Sequence, residues 1–330
     1  MTAYVIRRVL TGMVILVLLS MFTFLLFNAL PADPAALTCG KSCNPQVIEA
    51  NRARLGLDMP LYMQYIEFVK GIFFGRTYGS GTATFECSAP CLGYSFRRGE
   101  EVTPLIISVL PVTVFLAVGA FVLWIIPGVL LGIYAALRRG RWQERVTMGG
   151  ALVGYSFPSF FIGLLLLFFI VIKWQLLPYP SYVAPTEDPV QFFQTMILPW
   201  VTLALVFAAF YIRLTRNQML ETLGEDYIRT ARAKGLPEKT VIGKHGLRAG
   251  LTPIVTAAGL DLAGLLGGAI IVESVFTLPG LGRLAINSVL DADLPVITAT
   301  VLVAGFFIVV ANIIVDLLYA VIDPRVRLSS

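Results

Sequence analysis

Residues 225–248 read EDYIRTARAKGLPEKTVIGKHGLR, almost the only extended polar run in the second half of the chain. The run lies between two long apolar segments, and the rest of the sequence is laid out around it. The spacing of its apolar residues predicts two short amphipathic helices broken at Gly235-Leu236-Pro237. Gly235 can take the left-handed conformation that ends a helix, and Pro237 suits the first turn of the next one. Helices this short bury too little apolar surface to stand alone, so they are expected to pack on a partner. On its residues only, the run is either a solvated loop that keeps the chain in register or a docking element.

Composition narrows the setting. The 330 residues are 57% hydrophobic and 14% charged, with a mean hydropathy of +0.81. A soluble domain of this size needs far less apolar surface, which predicts a multi-spanning membrane protein. The formal net charge of +5 does not point to nucleic acid. The basic residues sit in short loops beside apolar segments, as topology signals do, and form no basic stripe interleaved with aromatics.

Residues 9–30 are the first apolar run, preceded by Arg7 and Arg8. They are longer than a cleavable signal core, and Leu30-Pro31-Ala32-Asp33 is a poor cleavage site, so they read as an uncleaved span. Further spans are predicted at 104–137, 147–172, 196–211, 253–275 and 295–322. Pro111, Pro127 and Gly128 are expected to kink or break 104–137, and Pro158 lies in the middle of 147–172. Six crossings place both termini inside, and Lys and Arg then divide 16 inside and 9 outside. Seven of the nine fall in the long region 31–103, where the charge rule weakens, and the short loops agree with the topology. The chain is thereby divided into residues 1–30, a tail and first span; 31–103, extracytoplasmic; 104–322, five further spans; and 323–330, a tail. Within 31–103, a surface helix is expected between Asp58-Met59-Pro60 and Gly71.

All four cysteines fall in that exported region as two C-x3-C pairs, Cys39 with Cys43 and Cys87 with Cys91. In an oxidising compartment they read as two disulfides whose pairing the spacing leaves open, with a four-thiolate metal site as the alternative.

DYIRTARAKGL followed by KHGLRAGLTPIV resembles the coupling-loop motif of type I ABC importer permeases, specifically the peptide-importer branch. The general motif begins Glu-Ala-Ala and places Gly four residues after the second Ala. Here Arg229-Thr230-Ala231 precedes Gly235, and Arg in place of Glu is similar to the peptide branch. RLGLDMPLYMQYIEFVKG at 54–71, LGYS at 92–95 and ESVFTLPGLGRL at 273–284 resemble the same family. The resemblance implies an all-α membrane protein of six transmembrane helices, with the type I ABC importer permease fold and an enlarged extracytoplasmic region after the first helix. It gives Asp226, Tyr227, Arg229, Thr230, Ala231, Arg232, Lys234, Gly235, His245 and Arg248 a role in ATPase coupling. Glu273, Phe276, Pro279 and Gly280 would shape the extracytoplasmic mouth. The implied setting is a bacterial inner membrane with both termini cytoplasmic. The implied partners are the lipid bilayer, a second homologous permease, ATP-binding subunits that carry ATP and Mg, and an extracytoplasmic substrate-binding protein. Peptides are the implied solute, with nickel, glutathione or another small solute as alternatives. Residues 76–91 look like an insertion relative to the family, and docking of the substrate-binding protein there is one expectation.

Asp261 is an acid at membrane depth, either lining a path or bonded to another helix. Asp316 invites the second reading. Gly259, Gly264, Gly267 and Gly268 predict a crowded helix interface. The chain has no G-x-x-x-x-G-K-[ST] phosphate loop, so ATP hydrolysis by this chain is not expected. His245 is the sole histidine, which removes multi-His metal sites and a Ser-His-Asp triad. A secondary transporter with Asp261 as ion site would show inverted repeats, and no convincing repeat is present.

Overall fold

The computed structural model describes residues 2–29, 35, 44–55, 57–78 and 84–322. The described chain runs α1 (Thr2–Ala29), α2 (Pro45–Leu55), α3 (Leu61–Phe74), β1 (Arg76–Tyr78), β2 (Phe85–Cys87), β3 (Tyr94–Ser95), β4 (Glu100–Glu101) and α4 (Val102–Leu137). It continues with α5 (Trp142–Ser156), α6 (Ser159–Leu166) and its π-wound extension Leu167–Lys173, and α7 (Pro189–Gly224). Then come α8 (Asp226–Ala233), α9 (Glu238–Thr240), a π-helical stretch Val241–Leu247 and α10 (Arg248–Leu266), followed by α11 (Ile270–Val275), α12 (Leu281–Leu290) and α13 (Leu294–Ile322).

Five helices are long and apolar enough to cross a membrane, and the α5/α6 pair makes a sixth if its two arms form one span. Those arms meet at 94°. Pro158 has no N–H to continue the ladder, and it holds Phe157 in an extended conformation (φ −97°, ψ 134°). The expected crossing at 147–172, with Pro158 in its middle, is therefore a bent one. Pro111 and Pro127, expected to do the same, lie inside the unbroken 36-residue α4. A Cβ on Gly119, Gly128 or Gly132 of α4 would fall within 2.6 Å of Trp200, Tyr211 or Thr215 of α7, so the two helices lie nearly backbone to backbone. Trp124, Leu116, Met196, Tyr211 and Phe276 are fully buried around this seam and form the main core.

α7 begins earlier than the expected span, at a cap that the sequence reading missed. Asp188 accepts hydrogen bonds from the Val190 and Gln191 N–H groups at 2.9 and 3.1 Å, and Pro189 occupies the first turn. At 36 residues α7 is about 54 Å long against a hydrocarbon core of about 30 Å, so it extends well past the expected span 196–211.

Between α3 and α4 the described residues are not helical. β1 pairs antiparallel with β2 (Arg76 opposite Cys87), and β3 with β4 (Tyr94 opposite Glu101). α3 ends at Phe74 rather than Gly71, with Gly75 at φ +80° closing it; a Cβ there would meet the Cys87 carbonyl at 2.8 Å. Cys87 and Cys91 form a disulfide, buried with Tyr78 against Tyr94 and Phe96, and the Cys91 N–H donates to Gly71 O at 3.2 Å. Cys39 and Cys43 lie outside the described residues. Ser95 donates to Asp293, tying the exported hairpin to the start of α13. The C-terminal tail 323–330 also lies outside the described residues.

Candidate functional site

The polar run folds as its residues dictate on one side of the break and differently on the other. α8 carries Ile228 and Ala231 on one face, and both are buried against Val241 and Leu223. Gly235 stands at φ +77° with open space around its Cβ position, and Pro237 precedes the new helix. From Glu238, however, the helix does not stop: residues Glu238–Leu266 form one 29-residue helix, π-wound over Val241–Leu247. The second short helix of the sequence reading is thus the first turns of a long helix, and the expected span start at 253 moves back accordingly. Pro253 is accommodated inside α10.

The outward face of this handle is polar and free within the chain. Asp226, Tyr227, Arg229, Thr230, Arg232, Lys234, Gly235 and Arg248 are exposed, while His245 is half-buried and Ala231 buried. Arg229 reaches Asp226 at 3.3 Å, and Arg232 reaches Glu238 at 2.7 Å across the break, a strap not anticipated from sequence. Exposed pairs of this kind contribute little, about 0–1 kcal/mol. Partial desolvation and the Glu225 carboxylate push the Tyr227 phenol above its usual value, so it stays neutral. Tyr227 is 46% exposed, an aromatic side chain on the outward face of α8.

A second polar cluster lies at the same end of the bundle. Arg216 on α7 donates through Nε to Glu144 Oε1 at 2.8 Å and through Nη2 to the same oxygen, while the Gly140 N–H donates to Glu144 Oε2 at 2.6 Å. The basic turn at 138–141 is thereby fixed to the helix that leads into α8. Sequence reading missed this because Glu144 looked like one charge among many.

At the opposite end, Glu273 is fully buried and does not line an opening in this structure. Its carboxylate accepts from Thr113 Oγ1 (2.9 Å), the Ala269 N–H (3.3 Å) and the Arg283 N–H (2.8 Å), and Thr113 Oγ1 in turn accepts from the Leu281 N–H (2.7 Å). One side chain thus fastens α4, the break before α11 and the first turn of α12. A Cβ on Gly280 would lie 2.3 Å from the Glu273 carboxyl carbon, and Gly268 (φ +122°) would meet Gly282 backbone at 2.6 Å. The ESVFTLPGLG stretch is a packed corner that requires glycine at its crossing points, with Phe276 buried beneath it.

Asp261 Oδ2 accepts from Tyr211 Oη at 2.6 Å, joining α10 to α7. Asp316 pairs with Arg8 at 3.2 Å, joining α13 to α1. Among the small residues, Gly259 and Gly267 face Val315 and Ala304 of α13, whereas Gly264 faces open space. Asp261→Asn keeps an acceptor for Tyr211, so we expect unchanged thermal unfolding in detergent. Tyr211→Phe leaves the acid without that donor and should cost about 1–2 kcal/mol, a drop of a few degrees in Tm. A path role for Asp261 requires the Asn variant to change transport or solute preference; if it changes neither, the residue serves helix contact alone. Among the described residues no group of three or more His, Cys, Asp or Glu is placed to hold a metal ion.

Two family models match the chain. Residues 128–328 match the inner membrane component of binding-protein-dependent transport systems, and residues 1–117 match the N-terminal part of such membrane components. Among curated proteins, the chain is 38% identical over 329 residues to a peptide transport system permease protein of Brucella abortus, covering 99% of both chains. It is 34% identical over 328 residues to a peptide ABC transporter permease protein of Sinorhizobium fredii (99% of this chain, 100% of the relative). It is 40% identical over 329 residues to the glutathione transport system permease protein of Escherichia coli, again covering 99% of both. A solved structure of the MetNI methionine ABC transporter in inward-facing conformations aligns with TM-score 0.52 at 19% identity, covering 67% of this chain and 97% of that one. That likeness shows the fold.

Proposed function

The chain belongs to the family of inner membrane components of binding-protein-dependent transport systems, and from that premise we propose that it forms half of a gated pathway for peptides. It is a multi-pass permease subunit with the type I ABC importer fold. The proposed setting is a bacterial inner membrane, with both termini and residues 225–248 in the cytoplasm. A second homologous permease would complete the pathway, a substrate-binding protein would deliver the solute, and ATP-binding subunits would dock on the handle. ATP with Mg, held by those subunits, supplies the free energy.

One observation supports coupling above the others: the exposed handle is continuous with two rods. α7 enters it as a single 36-residue helix, and Glu238–Leu266 leaves it as another. A displacement of α8 by a docked subunit therefore cannot be absorbed in a slack loop. α8 hands it to α7 at Glu225 and, through the cluster of Ile228, Ala231 and Val241, to the π-wound start of the departing helix. The Arg216 contact with Glu144 carries the same motion to α5. Two-state switching then follows from which conformation the docked subunits and loaded binding protein favour.

Peptide is the solute named for relatives from Brucella and Sinorhizobium, and glutathione, itself a small peptide, for the relative from Escherichia coli. Uptake of labelled di- to oligopeptides should fall to background in a strain lacking this chain and return when it is restored. Restored uptake of glutathione with no response to other peptides would narrow the solute, and ion-driven uptake by the purified chain without nucleotide would overturn the reading.

A further inference from the structure

A groove of about 850 Å³ opens between α1, α3 and α13 at the end of the bundle that bears the exported region. Its volume is that of a small-molecule site, roughly 300–1,000 Å³, but its walls are the wrong kind for a polar solute. The lining is almost wholly apolar and includes Leu16 and Val17 of α1, Val69 and Phe73 of α3, and Val303 and Phe306 of α13. The two wall hydroxyls, Ser20 Oγ and Tyr65 Oη, bond each other at 2.8 Å and offer little to a guest.

The dimensions match a lipid monolayer. The apolar part of α1 is Val5–Leu26, so the groove floor at Leu16 lies ten residues, about 15 Å, below its end, half of a hydrocarbon core of about 30 Å. α3 closes the side as a surface helix. It packs on α1 through Phe24 against Tyr65 and Phe68, yet leaves Phe73 70% and Phe74 81% exposed at its end. An apolar helix end of this kind beside two spans fits burial in the interfacial layer. The one cation of the lining, Lys70, has a 60% exposed side chain, with Glu67 only at 3.7 Å. A long side chain here places its ammonium at headgroup level while its stem covers apolar wall.

We infer that this groove is a phospholipid site, with one acyl chain lying between α1, α3 and α13 and the phosphate meeting Lys70. Hydrocarbon walls one leaflet deep, with a single ammonium at the rim, are complementary to a lipid and to no soluble ligand. The site belongs to the membrane-exposed edge of the chain and does not depend on which solute is carried.

The test places a photoreactive benzoylphenylalanine at Val303, or at Phe306 if the first variant is not monodisperse, in the full-length chain. The reference position is Ile126, 53% exposed on α4. The protein is irradiated in nanodiscs of phosphatidylethanolamine and phosphatidylglycerol, and the adducts are weighed. The expected result is a phospholipid adduct at the groove several-fold above the Ile126 position. Lys70→Glu should reduce the phosphatidylglycerol adduct about fivefold, the scale of one Lys against an anionic lipid. Labelling equal to that at Ile126 would mean ordinary lipid contact and overturn the site. An adduct to another segment of this chain, or to a partner, would also overturn it by showing that protein covers the groove. An unchanged adduct in Lys70→Glu would overturn the phosphate contact.

Discussion

Replacing Tyr227 with Ala is expected to weaken retention of the ATP-binding subunits by about 30-fold while leaving the chain in the membrane at normal abundance. The normal abundance rests on α8 having two faces. Tyr227 is 46% exposed on the outward face, so its truncation should change stability by less than about 0.5 kcal/mol. Ile228, the next residue, is fully buried and holds the handle to the bundle. The weakened retention rests on interface energetics. An exposed aromatic at the centre of a docking patch typically carries about 2 kcal/mol or more, and that difference is about 30-fold in affinity. The measurement is co-purification of the ATP-binding subunits and the second permease on a tagged chain, at matched salt because the neighbours are basic. Loss of the ATP-binding subunits alone is the expected result. Wild-type recovery of both partners would show that the outward face of α8 is not where the energy-supplying subunits bind. Ile228→Asp gives the contrast: a charge placed in the small core should unfasten α8 and lose the same subunits through misfolding, with a lowered Tm that Tyr227→Ala does not share.

Some of this was written plainly in the chain. Gly235-Leu236-Pro237 acts through its own backbone chemistry and marks the helix boundary it names. The apolar runs announced the spans, and the exported cysteines announced a disulfide, with Cys87 and Cys91 paired. What was not legible depended on partners distant in sequence. Pro158 bends its span by 94°, whereas Pro111, Pro127 and Pro253 sit inside helices, and nothing local distinguishes them. The second coupling helix was cut too short because the polar composition of 238–248 hid its continuity with the apolar helix beyond. Asp261 could be flagged as costly in a membrane, but that Tyr211 meets it, fifty residues away, is a fact of packing. Glu273 shows the same limit most clearly, since Thr113 reaches it across 160 residues.

Glu273→Ala is expected to be the most damaging single truncation outside the handle, and its damage should appear as lost folding rather than as a selective transport defect. The carboxylate is fully buried and satisfies the Thr113 hydroxyl and two backbone N–H groups, from Ala269 and Arg283. Removing it strands those donors where water cannot replace it, and breaking a buried charged network typically costs about 3–5 kcal/mol. At roughly 2–4 °C per kcal/mol for a chain of this order, Tm should fall by about 10 °C or the protein should fail to purify as a monodisperse species. Gly280→Val should be comparable, because its Cβ would sit 2.3 Å from the Glu273 carboxyl carbon and drive the acid out of its cradle. Glu273→Gln should be intermediate: one oxygen still accepts, but the amide presents a donor to N–H groups that need an acceptor. Thr113→Val should be milder, leaving the Leu281 N–H without its partner. Thermal unfolding of the four variants in one detergent would establish the order. If Glu273→Ala instead unfolds at the wild-type temperature and loses only transport, the carboxylate is acting on the solute path and the corner holds together without it.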